Sequence, residues 1–232
     1  DGTQFIFADC TFNGNYADGE GGALSFTGAG GGVPVQVYRC AFSNNTSGLD
    51  GGAMYIDSLG GGHVISGCTF RANQALSADD GGAIYTTSGS GGGYQFLDCD
   101  FIGNVADRLG GVAYLGTNSL LRNCLFVSNS ANSAGTLGGG AFFLSSGSAA
   151  TVYRFENCTF FTNYAAWDGG VAFMNIAANM YFTNCIFWGN VAAGGDGNDL
   201  YNVANGQATI DYCLLNSTNN VYSNGVPGRF AF

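Results

Sequence analysis

The chain of 232 residues contains no lysine, only two prolines and a single histidine, and charged residues make up 9% of it. Six arginines stand against 16 acidic residues, which gives a net charge of −10. Nucleic-acid binding depends on clustered Lys and Arg, so the sequence predicts no nucleic-acid partner. No stretch approaches the roughly 18 uninterrupted apolar residues of a membrane-spanning helix, which predicts no transmembrane segment.

Glycine is abundant instead, with 40 residues, and glycine pairs recur about every 30 residues. The pairs are Gly21-Gly22, Gly51-Gly52, Gly81-Gly82, Gly110-Gly111, Gly139-Gly140 and Gly169-Gly170. A second motif, Cys-x-Phe-x-x-Asn, lies upstream of each pair and also occurs once after the last pair. Its cysteines are Cys10, Cys40, Cys68, Cys99, Cys124, Cys158 and Cys185, and Cys213 begins a degenerate eighth copy. This regularity establishes an internal repeat.

The segments within each repeat are short and alternate in polarity, which is typical of β-strands. One apolar stretch precedes each Cys, a second begins at the Cys, and a third follows each glycine pair. A propeller would need about four strands per repeat and closure into a ring, so the pattern favours a solenoid. We predict an all-β, right-handed parallel β-helix of about eight coils, with three strands per coil and a single domain over residues 1–232.

The repeat also resembles that of a known family. Phe12 and Asn15 with Gly21-Gly22-Ala23-Leu24, and the copies ending in Gly51-Gly52-Ala53-Met54 and Gly81-Gly82-Ala83-Ile84, resemble the repeats of chlamydial polymorphic outer-membrane proteins. The resemblance implies an autotransporter-like surface protein whose passenger is a right-handed parallel β-helix of the pectate-lyase-like type. It also implies adhesion, the activity usual for that family.

The cysteines number eight, one in each coil at the same inward position. Stacked coils hold equivalent Cβ vectors parallel and slightly too far apart for a disulfide, which favours buried thiols over cross-links. A straight column also lacks the tetrahedral geometry of a zinc site. His63 is the only histidine, and we interpret it as a strand residue.

Acidic residues precede several glycine pairs. Stacking would bring Glu20, Asp50, Asp79 and Asp80 into neighbouring coils, where like charges raise one another's pKa unless a cation intervenes. Calcium suits several oxygen ligands in loops, so these four residues are a candidate calcium site, and no other cofactor is expected. The alternative is that the loops splay and water screens the charges.

The strand after each glycine pair has two registers open to it. In one, bulky aliphatic side chains point inward, and an exposed aromatic stripe forms from Tyr55, Tyr85, Tyr114, Phe143 and Phe173. An exposed apolar stripe marks a binding surface, for sugars or for another solenoid. In the other register the aromatic side chains are buried behind small neighbours.

Catalysis must be weighed because β-helix folds often carry polysaccharide lyases and hydrolases. Glycoside hydrolysis needs two carboxylates across a cleft, and the arginines form no recurrent motif with acids. Asp79 and Asp80, with Arg108 on the next coil, are the one cluster to test. We predict a non-catalytic extracellular or cell-surface structural protein. The alternative is a polysaccharide-binding or polysaccharide-cleaving β-helix protein.

The two ends of the solenoid predict self-association. Neither end shows a helical cap, so we expect either a segment of a larger solenoid or ends covered by neighbouring copies. A head-to-tail contact would pair Phe5, Ile6 and Phe7 with the last coil near Tyr212 and Leu214, and such a contact generates a fibre. The other expected partners are glycans or a host surface, which a surface passenger would use for adhesion.

Overall fold

The chain folds as a parallel β-solenoid in a computed structural model, and the predicted fold class is confirmed. The structure describes residues 4–28, 33–57, 60–87, 93–133, 135, 137–145, 148, 150–175, 177–203, 206–216 and 221–223. Within these ranges the only regular elements are β-strands, and they form four parallel sheets, here named A to D. Each sheet takes one strand from each successive coil.

Sheets A and B meet at the corner just before each cysteine. The strands of sheet A are Phe5–Ala8, Val35–Tyr38, His63–Ser66, Tyr94–Leu97, Ser119–Arg122, Val152–Glu156, Asn179–Thr183 and Gln207–Asp211. The strands of sheet B are Thr11–Asn13, Ala41–Ser43, Thr69–Arg71, Asp100–Ile102, Leu125–Val127, Thr159–Phe161, Ile186–Trp188 and Leu214–Leu215.

Sheets C and D lie on either side of the glycine pairs. The strands of sheet C are Tyr16–Ala17, Thr46–Ser47, Gln74–Ala75, Val105–Ala106, Ser130–Ala131, Tyr164–Ala165 and Val191–Ala192. The strands of sheet D are Leu24–Thr27, Met54–Asp57, Ile84–Thr86, Ala113–Leu115, Phe142–Leu144, Ala172–Met174, Leu200–Asn202 and Val221–Ser223.

The expected number of strands per coil needs correction. Sheets A, B and D each have eight strands, but sheet C has seven, so the described residues form seven complete coils and a partial eighth. Sheet C supplies a fourth strand per coil where three were predicted. Its strands are two residues long, and two residues are too few to show the alternation by which a strand is recognised in a sequence.

The chain turns from sheet A to sheet B through a residue with positive φ. The residues at this corner are Asp9, Arg39, Gly67, Asp98, Asn123, Asn157, Asn184 and Tyr212, with φ between 50° and 63°. Gly, Asn and Asp adopt this left-handed conformation at low cost, which explains why they occupy most of these corners.

The glycine pairs allow the coils to approach closely between sheets C and D. Gly81 has φ 68°, and a Cβ at Gly82 would clash with the main-chain carbonyl of Gly111 in the next coil. A side chain is therefore excluded at Gly82, whatever its polarity.

One continuous core runs through the coils, and a column of phenylalanines lies in it. Successive rings stack nearly parallel, with centroids 4.7 to 5.2 Å apart. The column comprises Phe12, Phe42, Phe70, Phe101, Phe126, Phe160 and Phe187. Its period matches the spacing of neighbouring strands in a sheet, so one ring per coil fills the interior.

A buried ladder of asparagine amides runs beside this column. The Asn73 side-chain amide donates to Asn104 Oδ1 in the next coil (2.9 Å) and to the Phe42 carbonyl in the preceding one (3.0 Å). The same pattern links Asn15, Asn45, Asn73, Asn104, Asn129, Asn163 and Asn190. Asn190 donates to Asp199 Oδ1 (2.9 Å), which takes the place of the next amide. The ladder holds the coils in register because each amide from Asn45 to Asn163 bonds to the coils on both sides.

The cysteines form the inward column that the sequence predicts. All eight are free: Cys40, Cys68, Cys99, Cys124, Cys158 and Cys185 are buried, and Cys10 and Cys213, in the end coils, are half-buried. Burial raises the pKa of the Cys40 thiol, which keeps it protonated at neutral pH. His63 is also internal, where its Nδ1 accepts a hydrogen bond from the Val35 amide and its ring stacks on Tyr94.

Candidate functional site: an aromatic column and its cleft

The outer face of sheet D carries a column of aromatic side chains. Met54 and Ile56 are fully buried, whereas Tyr55 between them points outward. The structure therefore adopts the first of the two registers. Tyr55, Tyr85, Tyr114, Phe143 and Phe173 all stand in this column, and Tyr201 and Tyr222 extend it. These two residues were not predicted from the sequence because their coils lack the Gly-Gly-Ala signal.

The rings of this column stack on one another. Neighbouring centroids lie 4.6 to 5.4 Å apart, with interplanar angles of at most 29°. This spacing leaves no room for a ligand ring between two members. Free ring faces are confined to the two ends of the column. At one end, Tyr55 pairs with the small Ser25 in the register of sheet D. Along the rest of the column a ligand meets ring edges.

The expected exposure of the stripe is only partial for Tyr55, Tyr85 and Tyr114, which are half-buried, and is wrong for the other two residues. Phe143 and Phe173 are buried, because Leu109 packs with them in a small outer cluster and Tyr114, Leu137 and Tyr201 pack against that cluster. Leu109 and Leu137 come from loops, whereas Tyr114 and Tyr201 are neighbouring members of the column. Ligand binding by the five residues stays a prediction.

An open cleft of about 400 Å³ lies beside the middle of the column. Its volume falls within the usual range for small-molecule sites, about 300 to 1,000 Å³. It is lined by Asp80, Tyr85, Arg108, Leu109, Tyr114, Ser133, Leu137, Phe143, Ser145 and Asn175. Four coils thus contribute to one cleft, with an aromatic wall on one side and hydroxyl and amide groups among its other lining residues.

An ion pair joins Asp80 to Arg108 at this cleft. Arg108 donates from Nε to Asp80 Oδ1 (2.8 Å) and from Nη2 to Asp80 Oδ2 (2.6 Å). The Asp80 side chain is 2% exposed and that of Arg108 is 49% exposed. Burial raises the pKa of Asp80, and the Arg108 contact opposes that rise. The structure thus brings together Asp80 and Arg108, two of the three residues that the sequence marked for testing.

The candidate calcium residues lie near this ion pair. The main-chain amide of Asp80 donates to Asp50 Oδ1 (2.9 Å), and burial raises the pKa of Asp50 to about 6. Glu20 occupies the equivalent position one coil earlier, since the amide of Gly21 bonds to the carbonyl of Asp50. Within the described residues, no three Asp, Glu, His or Cys side chains are grouped as metal ligands. Arg108 supplies one positive charge here, and calcium binding by Glu20, Asp50, Asp79 and Asp80 stays a prediction.

The predicted self-association residues lie at the two ends of the solenoid. Phe5 and Ile6 are exposed and Phe7 is half-buried on the first strand of sheet A, which has a single neighbouring strand among the described residues. Tyr212, which is 78% exposed, and Leu214 lie in the last coil. Their role in contacts between copies stays a prediction.

A second exposed apolar surface was not predicted from the sequence. It covers the outer faces of sheets B and C near the last coils and consists of Phe161, Tyr164, Ile186, Trp188, Val191 and Leu214. The sequence does contain a signal for this surface, in the residue that follows each motif phenylalanine. This residue is polar in the first coils, as Asn13 and Ser43, and aromatic in later coils, as Phe161 and Trp188.

Fold and surface together define a parallel β-solenoid repeat protein with an outward aromatic column. Two segments, residues 9–27 and 67–87, match the family model of the Chlamydia polymorphic membrane protein repeat. Each match runs from around the corner before sheet B to the strand of sheet D, so the family repeat corresponds to most of one coil. The resemblance predicted from the sequence is confirmed for these two repeats. No curated protein and no solved structure matches the chain.

No helix able to cross a membrane occurs in the described part of the chain.

Proposed function

We propose that the protein is a surface passenger of the polymorphic-membrane-protein type, whose solenoid presents its outer faces for adhesion. The observation that carries this proposal is that the family repeat matches two segments, each covering most of one coil of the solenoid. The outward aromatic column supports it, because partly exposed tyrosines combine a large apolar contact area with a polar group.

The surface location is tested on intact cells that produce the protein. Protease added outside should degrade the chain, and an antibody to the folded solenoid should label unpermeabilised cells. A cytoplasmic protein that survives the same protease serves as the control. Labelling only after permeabilisation would contradict the proposal.

The passenger is proposed to be non-catalytic. Asp80 is the one carboxylate among the residues that line the cleft, and Arg108 holds both of its oxygens. Glycoside hydrolysis needs a second carboxylate about 5 to 9.5 Å away across the substrate. Purified protein should therefore release neither reducing ends nor unsaturated uronates from a panel of polysaccharides. Product that is formed by the wild type and lost in Asp80→Asn would overturn this part of the proposal.

End-to-end assembly is a second candidate function, favoured by the first strand of sheet A. The amides of Phe5 and Asp9 donate to the second coil, so alternation along the strand turns the Ile6 amide toward the other edge, which has no neighbouring strand among the described residues. The last coil would continue the interior columns across such a contact, since Leu215 is in register with the phenylalanine column.

Ile6→Pro tests this assembly because it removes the outward donor and keeps the inward bonds. We expect fibres from the wild type at high concentration and none from Ile6→Pro. Ile6→Ala, which keeps the donor, is the matched control. A wild-type chain that stays monomeric, or fibres of Ile6→Pro with the same axial rise, would refute assembly and leave surface adhesion as the function.

A further inference from the structure

We propose that the cleft beside Arg108 binds an uncharged glycan, with Arg108 as its polar anchor. The inference rests on the proposed adhesive function and names the class of ligand. It also moves the contact point from the ring faces of the aromatic column to the cleft at its edge.

Arg108 is suited to this role because its guanidinium group is held in place before a ligand arrives. A guanidinium carries five N–H donors. The bonds from Nε and Nη2 engage Asp80, and the described residues supply no partner for the other donors. Asp80 is itself fixed by a bond from the Leu109 amide to Oδ1 (3.1 Å). A planar donor group of fixed orientation suits adjacent hydroxyl oxygens and loses little conformational entropy on binding.

The rest of the cleft offers the mixed surface that a sugar ring needs. The edges of Tyr85 and Tyr114 and the side chain of Leu137 supply apolar contacts for C–H groups. Ser133, Ser145 and Asn175 supply hydroxyl and amide groups around the cleft. A sugar presents C–H and O–H groups alternately, so it can use both kinds of contact at once.

The charge balance of the cleft favours an uncharged ligand. Asp80 and Arg108 neutralise each other, and the Asp50 carboxylate bonds to the Asp80 amide behind them. A sialylated or sulfated sugar would meet the field of Asp50 and Asp79 and the net charge of −10. A cationic group carries only donors, so it cannot accept a hydrogen bond from the Arg108 guanidinium. An uncharged glycan avoids the repulsion of the carboxylates and offers hydroxyl oxygens to Arg108.

The test begins with labelled wild-type protein on an array of neutral, sialylated and sulfated glycans, followed by calorimetry with the neutral oligosaccharide that binds best. Ser145→Trp places a bulky side chain in the cleft and leaves Asp80 and Arg108 themselves unchanged, and we expect the affinity of the variant to fall at least about tenfold. Ser43→Trp, on the outer face of sheet B, is the matched control and should bind as the wild type does.

Arg108→Lys tests the anchor, since lysine keeps the charge and loses the planar donor group. We expect about a tenfold loss of affinity. Arg122→Lys is its control, because Arg122 also pairs with an acidic side chain, Glu156 (2.8 Å), and is similarly exposed, at 47%. Circular dichroism verifies that each variant is folded.

The proposal is overturned if no neutral glycan binds, if binding requires sialic acid or sulfate, or if either Ser145→Trp or Arg108→Lys binds with unchanged affinity. These failures are separate from those of the proposed function. If no glycan binds in the cleft, the surface location is still decided by the protease and antibody experiments on intact cells.

Discussion

Replacing Asn104 with alanine would remove four hydrogen bonds from the middle of the buried amide ladder. The Asn104 Oδ1 atom accepts from the main-chain amide (3.0 Å) and the side-chain amide (2.9 Å) of Asn73. Its Nδ2 atom donates to the Phe70 carbonyl and to Asn129 Oδ1, each at 3.0 Å. Asn104 is fully buried, so water cannot replace these partners.

The expected cost follows from the groups that lose a partner. Two donors of Asn73 and the Phe70 carbonyl each lose one bond, whereas Asn129 Oδ1 keeps the main-chain amide of Asn104. A buried polar group without its partner costs about 1 to 3 kcal/mol. With three such groups, we expect the free energy of unfolding to fall by about 3 to 6 kcal/mol after local relaxation. Most domains have a free energy of unfolding of about 5 to 15 kcal/mol, so the loss is severe.

Urea unfolding followed by circular dichroism measures this loss. Asn13→Ala is the matched control: it removes an amide-to-amide bond of 3.0 Å from Asn44, but at an exposed position. We expect the control to change the free energy of unfolding by less than about 0.5 kcal/mol. If Asn104→Ala costs no more than this control, the amide ladder does not hold the coils in register and the reasoning is refuted.

Three further predictions concern the glycine pairs, Asp50 and the thiols. Gly82→Ala should prevent folding, seen as loss of soluble protein or of the β-sheet circular dichroism signal, because its Cβ would clash with the Gly111 carbonyl; a stable variant would contradict the close approach of the coils. Because the pKa of Asp50 is about 6 in the folded chain, above its unfolded value, its ionisation costs stability as the pH rises from about 4 to 6. In urea unfolding with chelator present, Asp50→Asn should therefore raise the free energy of unfolding by about 1 to 2 kcal/mol at pH 7, after allowance for partial exposure, and by almost nothing at pH 4. Calcium that raises the melting temperature of the wild type but not of Asp50→Asn would establish the predicted metal site. The buried thiols should resist a thiol reagent until urea is added, and all eight should then react without reductant; detection of disulfides would overturn this.

The interior of the solenoid was predictable because it repeats. Cys68, Phe70 and Asn73 recur at fixed spacing, and stacking at one strand per coil requires equivalent residues to form columns. The same reasoning put the side chains of Asp80 and Arg108 on adjacent coils, where the structure pairs them. Periodic features survive in the sequence because each coil meets the same steric demand.

The features that break the period were not predictable. The loop containing Leu137 covers Phe143 and Phe173, a contact between residues that no local pattern relates. The cleft depends on the same loop, and its uncharged polar lining comes from Ser133, Ser145 and Asn175, whose residue types are common on any surface. Two-residue strands such as Tyr16–Ala17 are likewise visible only once their neighbours are in place.

The central claim, that equivalent residues of successive coils stack in register, is tested most directly by nuclear magnetic resonance of the asparagine side-chain amides. Asn73 and Asn104 are separated by 31 residues in the chain and joined by a hydrogen bond of 2.9 Å. We predict nuclear Overhauser contacts between their side-chain amide protons, the same contacts between Asn104 and Asn129, and slow hydrogen exchange for all three. Rapid exchange and no contact between Asn73 and Asn104 would contradict the account.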